Sequence, residues 1–163
     1  MIDVNAMQIR DAERADVEVL AKLWFEGWQD AHVGLLPPEV AADRTLKSFR
    51  ERLMDHLATV RTIGVPGRPL GFSLIKGSEL NQFYVGKEAR GTGVAAALMK
   101  DAEDRLRASG WAEAWLDCAI GNTRAARFYE KHLWRLRGVE TTELTLRTGA
   151  FPLEVWRYVK RLD

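Results

Sequence analysis

The sequence predicts an α/β protein built on a mixed sheet, with helices on both faces. Three observations predict it. The runs "ATVRTIGV" and "PLGFSLIKG" flank a Pro-Gly-Arg-Pro turn, as the two strands of a hairpin do. The run "ELNQFYVG" then leads through a glycine turn into an amphipathic helix and on to another strand, "WAEAWLDCA", which is a strand–helix–strand crossover. Two further strand-like runs close the chain. A sheet that holds both hairpins and crossovers is mixed. With 163 residues the chain suggests one domain, residues 1–163.

Each element has its own signal. "MQIRDA" reads as the first strand. Asp16 can cap a helix through "VEVLAKLWFEGWQDAH", where Val17, Leu20, Leu23, Trp24 and Trp28 fall near helical spacing. Glycine and two prolines in "VGLLPPEVA" break that helix. A second helix runs roughly from Arg44 to Leu57, with Leu46, Phe49, Leu53 and Leu57 on one face. In the strand "ELNQFYVG", alternation puts Glu79, Asn81, Phe83 and Val85 on one side and Leu80, Gln82 and Tyr84 on the other. The helix Val94 to Ala108 repeats Val94, Leu98, Ala102 and Leu106 every four residues. Its charges Lys100, Asp101, Glu103, Asp104 and Arg107 read as a solvated face. Gly110 ends it. Asn122 caps a short helix in "NTRAARFYEKHL". "RLRGVETTELTL" and "LEVWRYVKRL" close the chain around a Gly-Ala-Phe-Pro turn. The predicted order is β-α-α-β-β-β-α-β-α-β-β. Trp24, Trp28, Trp111, Trp115, Trp134 and Trp156 are expected in the core.

Composition excludes several functions. Lysine plus arginine number 24 against 23 aspartates and glutamates, so no basic excess favours nucleic acid or an anionic membrane. No apolar run is long enough to span a bilayer. The polar, acidic start is unlike a secretory signal, and one cysteine, Cys118, excludes an intramolecular disulfide. Together these predict a cytoplasmic setting. His32, His56 and His132 lie far apart, and no metal is expected.

The stretch "EARGTGVAAALMK" raises the first chemical question. It leaves a strand and opens a helix, where the first amides have no internal partners and the helix dipole adds partial positive charge. Gly91 and Gly93 carry no Cβ, so an anion can approach the main chain. Arg90 and the Thr92 hydroxyl could add a charge and a donor. Glycine used only to shape the turn remains the alternative. Neither nucleotide pattern is present. No Gly-Lys-Ser/Thr follows, and Ala96 stands where the Rossmann pattern has its third glycine.

The later stretch "AIGNTRAARFYEKHLW" narrows the choice. Here the sequence resembles the GCN5-related N-acetyltransferase (GNAT) superfamily. Its acyl-CoA motif, Arg/Gln-x-x-Gly-x-Gly/Ala, is matched at Arg90-Gly91-Thr92-Gly93-Val94-Ala95. Its later motif is matched at Asn122, Ala125, Phe128, Tyr129, Glu130 and Lys131, and the "QFYVGKEARGTG" lead-in is also similar. The match covers about Glu79 to Arg135. Lys87 departs where proline is common, and Leu133 where glycine is usual, which puts the end of that helix in question.

The resemblance implies a GNAT-like fold, a mostly antiparallel twisted sheet of about seven strands. It implies acetyl-CoA as co-substrate, with pyrophosphate on the amides of Arg90, Gly91, Thr92, Gly93, Val94 and Ala95. The pantetheine arm would run along Phe83, Tyr84 and Val85, with Asn122 beside it. The Val85 amide would meet the oxyanion, and Tyr129 would be the general acid. On residues alone, Phe128-Tyr129 reads first as a core aromatic pair; the motif context reverses that reading. Glu79 could act as base through a water, or be an exposed strand glutamate. Trp28, His32 and Asn81 are the candidate acceptor contacts. Asp117 could face the cleft or cap a turn, and Cys118 reads as a core residue. The implied reaction is acetyl transfer to a primary amine of a small molecule or peptide, with a homodimer as the family's frequent assembly. A catalytically silent acyl-CoA sensor is the alternative.

Overall fold

The computed structural model describes residues 7–163. Seven strands form one sheet: β1 (Ile9–Asp11), β2 (Val60–Ile63), β3 (Gly71–Lys76), β4 (Glu79–Val85), β5 (Glu113–Ala119), β6 (Arg135–Leu146) and β7 (Gly149–Arg161). Their order across the sheet is β1-β2-β3-β4-β5-β7-β6. Among the described residues only β4 and β5 run parallel; every other pair is antiparallel. The helices are α1 (Val17–His32), α2 (Pro38–Asp43), α3 (Leu46–Asp55), α4 (Val94–Ala108) and α5 (Thr123–Lys131).

Two apolar layers hold the sheet. On one face α1 and α3 bury Leu20, Trp24, Phe49 and Leu53 against Phe72 and Leu74. On the other, α4 sets Met99, Ala102 and Leu106 against Leu80, Leu116 and Tyr158, while its first turn packs Val94 and Leu98 on Ile63. Each fully buried side chain of this size stabilises by about 1.5–3 kcal/mol, so α1 and α4 are fixed by their apolar stripes.

Several expectations change. The Pro-Pro segment does not merely break α1: Pro38 occupies the first turn of α2, where its missing amide costs nothing. Asp16 does not cap α1 through its side chain. Its carboxylate instead takes two bonds from Arg10 (2.8 and 2.9 Å) and the amides of Glu13 (2.8 Å) and Gly67 (3.0 Å), tying β1 to the β2–β3 turn. The last hairpin turns at Arg147-Thr148, and Gly149 to Pro152 belong to β7. Pro152 is tolerated because β5 pairs with β7 only from Val155 onward, so nothing needs its missing donor on that side.

The period of β4 also breaks. Leu74 faces Gln82 while Ile75 faces Leu80, leaving Asn81 as the extra residue of a bulge. Leu80 therefore packs on the α4 side with Phe83, while Tyr84 stays on the α1 side. The α4 charges are not all solvated. Glu103 is buried, accepting from Lys160 Nζ (2.6 Å) and Trp134 Nε1 (3.2 Å), and Asp101 accepts from Arg61 (3.1 Å). Trp111 precedes β5 and is 45% exposed, outside the core. Leu133 adopts φ 68°, the left-handed conformation of a helix-ending glycine. The Trp134 amide then reaches back to Tyr129 O (3.0 Å), so the helix end keeps its shape without glycine.

Candidate active site

β4 and β5 pair at a single position, Glu79 with Trp115, beside a bond from Trp115 N to Ser78 O (3.1 Å). Beyond it the strands part. The opening is a cleft of about 360 Å³, walled by residues 80–85, 117–119, Asn122 and α5, with Gly27, Ala31 and His32 of α1 along one side. Gly86 gives its amide to Leu70 O (2.9 Å), on the β3 side. Neighbouring strand amides point to opposite sides, so those of Val85 and Phe83 face the cleft where β5 has left.

The glycine turn closes one end. Gly91 (φ 73°) and Gly93 (φ 93°) are both left-handed, so the turn itself requires glycine. Not every amide there is free. That of Arg90 reaches Lys87 O (3.2 Å), and that of Thr92 reaches Ala89 O (3.3 Å). The Thr92 hydroxyl donates to Ala89 O and accepts from the Val94 amide (3.4 Å), so it braces the turn and is no spare donor. The amides of Gly91, Gly93 and Ala95 have no partner among the described residues. Three free donors at the start of a fifteen-residue helix fit a pyrophosphate. Arg90 and Gly91 line the cleft with Arg124, and Lys87 stands beside them, bonded to Asp30 (3.0 Å). Sequence reasoning missed Asp30 and Arg124, because neither has a pattern of its own.

Tyr129, on α5, lines the cleft. Asn122 fixes α5 by accepting from the Ala125 amide (3.3 Å), and it also lines the cleft. Burial pushes the Tyr129 phenol well above its usual range, helped by Cys118 and Tyr84 nearby, so it stays protonated. Tyr158 is committed elsewhere, donating to Glu130 (3.0 Å). Phe128 stacks on Phe83 (5.5 Å) and meets Tyr129 edge-on (5.8 Å), so the two do form an aromatic pair on the core, and both also line the cleft.

The acceptor-side candidates separate. Glu79 lies at the closed end where the strands still pair, and it does not line the cleft. Burial raises its pKa, opposed by a bond from Asn81 Nδ2 (3.0 Å) and reinforced by Asp117. Asn81 does line the cleft. Asp117 reaches it too, but Arg157 holds both its oxygens (2.8 and 3.0 Å). Burial pushes the Cys118 thiol up to about 12, so no thiolate forms near neutrality. Trp28 is a buried core residue whose ring meets that of His32 at a tilt (4.9 Å). His32 bonds Trp28 O through Nδ1 (3.0 Å), which places its proton there and leaves Nε2 as an acceptor. Burial lowers its pKa, so the ring is neutral at pH 7. Among the described residues no cluster of His, Cys, Asp and Glu could hold a metal, and no helix is long and apolar enough to cross a membrane.

Residues 25–133 match the Acetyltransferase (GNAT) family. A GCN5-related N-acetyltransferase from Rhodopseudomonas palustris superposes with a TM-score of 0.73 at 20% identity, covering 99% of both chains. The PaiA N-acetyltransferase of Thermoplasma acidophilum, solved in complex with coenzyme A, gives 0.70 at 18%, covering 96% of this chain and 99% of that one. An uncharacterized N-acetyltransferase of Mycobacterium tuberculosis is 34% identical over 122 residues, 66% of this chain and 78% of that protein. The mixed seven-strand sheet is thus that of the GCN5-related acetyltransferases. The chain belongs to the acetyltransferase (GNAT) family.

Proposed function

We propose that the protein transfers an acetyl group from acetyl-CoA to a primary amine of a small molecule or peptide, by direct attack in a ternary complex. The observation that carries this reading is the single paired position between β4 and β5, with Tyr129 in the gap that follows. The cleft-facing amides of Phe83 and Val85 suit an extended pantetheine arm, which pairs with them as an added strand would. The free amides of Gly91, Gly93 and Ala95 suit the pyrophosphate.

The amine nitrogen attacks the thioester carbonyl carbon. The Val85 amide stabilises the charge that develops on the carbonyl oxygen. The surplus amine proton passes to Nε2 of His32, a cleft-lining residue whose Nδ1 is taken by Trp28 O. As the C–S bond breaks, Tyr129 gives its proton to the departing thiolate. The products are the N-acetylated amine and free CoA. Glu79 sits at the cleft's closed end and acts on the electrostatics there, not as the direct base.

Tyr129→Phe tests the reading. Turnover of an accepted amine falls by about 10²–10⁴-fold, while the acetyl-CoA dissociation constant measured by calorimetry stays within twofold. Unchanged turnover removes Tyr129 from the chemistry.

A further inference from the structure

A second set of groups lies on the far side of Tyr84, between α1 and α3. Tyr84 lines the cleft, and its ring packs in the core on the α1 face. Its ring presses so closely on α1 that a Cβ at Gly27 would lie 2.9 Å from it. Its phenol lies within electrostatic reach of Arg44 and of Arg52.

These two arginines are poorly neutralised. Arg44 is 8% exposed, and its one acidic partner is its neighbour Asp43 (3.1 Å). That carboxylate is shared, since its other oxygen takes the Arg147 amide (2.9 Å) and faces the solvent-exposed Arg147 side chain (3.5 Å). Arg52 is half-buried and has neither an ion pair nor a hydrogen bond among the described residues. Its guanidinium lies 4.5 Å from the Trp24 ring centroid and 5.7 Å from that of Phe49. Burial, and then the nearby Arg44, push its pKa down to about 10, so it remains charged at neutral pH. The buried Trp24 indole N–H, beside the Tyr84 hydroxyl, also meets no acceptor in hydrogen-bond geometry.

Asp43 serves Arg44 and Arg147, while Arg52, half-buried over Trp24, has no carboxylate of its own among the described residues. Stacking on aromatic rings offsets only part of the cost of desolvating a cation. What the set lacks is one acceptor group with one negative charge. Arginine's planar fork suits a carboxylate. We propose that Arg52 and Arg44 seat a carboxylate of the amine acceptor, so that the substrate is an amino acid or a related amino-carboxylate lying across Tyr84, its amine in the cleft. This deepens the transferase reading and rests on it for the amine's place. A doubly charged phosphate would leave negative charge uncompensated beside the same two arginines.

The test uses the full chain with acetyl-CoA. The probes are the protein amino acids and the ω-amino acids from glycine to 6-aminohexanoate, each beside its methyl ester. Acetyl transfer is read by mass spectrometry, and binding by thermal shift in the presence of CoA. The wild type is expected to favour at least one acid over its ester by tenfold or more in kcat/KM. Arg52→Met is expected to abolish that preference and the acid-dependent thermal shift, with acetyl-CoA affinity unchanged. Arg52→Lys keeps a charge and should retain part of both; it carries the test if the methionine variant does not fold. Equal use of acid and ester by the wild type overturns the seat, as does an equal loss on both in Arg52→Met. An acid-dependent shift lost in Arg52→Met, with no amine acetylated, upholds the seat and overturns the transferase reading. Neither shift nor transfer overturns both.

Discussion

The two ends of the cleft, proposed above to take CoA and the amine acceptor, are built in different ways. At the CoA end the groups that face the opening are main-chain amides: Val85 and Phe83 on β4, then Gly91, Gly93 and Ala95 at the start of α4. At the acceptor end they are side chains: His32, Tyr84 and Asn81 at the cleft, with Arg44 and Arg52 behind. A backbone site depends on where a strand parts and a helix starts. A side-chain site depends on which residues α1, β4, α3 and the α2–α3 turn happen to bring together. The first tolerates sequence change outside its glycines, and the second changes with almost any substitution.

Substitutions can break or sharpen that contrast. The largest expected effect, after that of Tyr129→Phe, is at the acceptor end. His32→Gln should lower kcat at pH 7 by about 10²-fold and leave acetyl-CoA affinity intact. His32 must be neutral to take a proton, and its pKa lies below the usual 6.5. Wild-type activity should therefore fall as pH drops through that lowered value, and the variant should lose this acidic limb. A limb lost in Glu79→Gln but kept in His32→Gln would move the base to Glu79.

Gly93→Val probes the other end. Gly93 sits at φ 93°, so valine strains the turn as well as crowding the amides. Acetyl-CoA binding should weaken by about tenfold. Stability should also fall, by roughly 1–2 kcal/mol, seen as a lower Tm. A folded variant with unaltered affinity would reduce the turn to geometry alone.

A smaller effect is expected at Asp30. It bonds Lys87 (3.0 Å) and stands 4.0 Å from Arg90, beside the free amides. The Lys87 bond holds its pKa below the usual range. Asp30→Asn should tighten acetyl-CoA binding about two- to threefold at low salt, less as salt screens the charges. Weaker binding would mean that Asp30 positions Lys87 instead of competing for it.

Least affected by either end is Leu133, 78% exposed in a left-handed conformation. Leu133→Gly should stabilise the fold by about 1 kcal/mol in denaturant titration, with kcat unchanged. A loss of stability would show that the leucine side chain packs against something that matters.

These two ends were not equally legible. The α4 helix and the Asn122 cap could be read to the residue, because periodicity and capping are local. The glycine pair was legible from its place between a strand and a helix, and the Tyr129 motif through its resemblance to the GNAT family. The bulge at Asn81 was not, since it exists only relative to β3 and reverses which side Leu80 takes. Nor was the buried Glu103, whose partners Lys160 and Trp134 lie far along the chain. His32 gave no signal beyond its position at a helix end. Its role as a free acceptor comes from a bond to its own helix and from facing a strand fifty residues away.

The sequence by itself determined the order of the strands and of every helix but α2, the apolar stripes of α1 and α4, the glycine turn and the helix that carries Tyr129. All of these follow from interactions within a few residues. The tertiary structure decided where β4 and β5 part, which amides of the turn stay free, and which acids and bases are already paired. It alone set Arg52 over Trp24 without a counter-ion and gave Asp117 to Arg157. Pairing and desolvation depend on neighbours that are distant in the chain, and only the assembled fold supplies them.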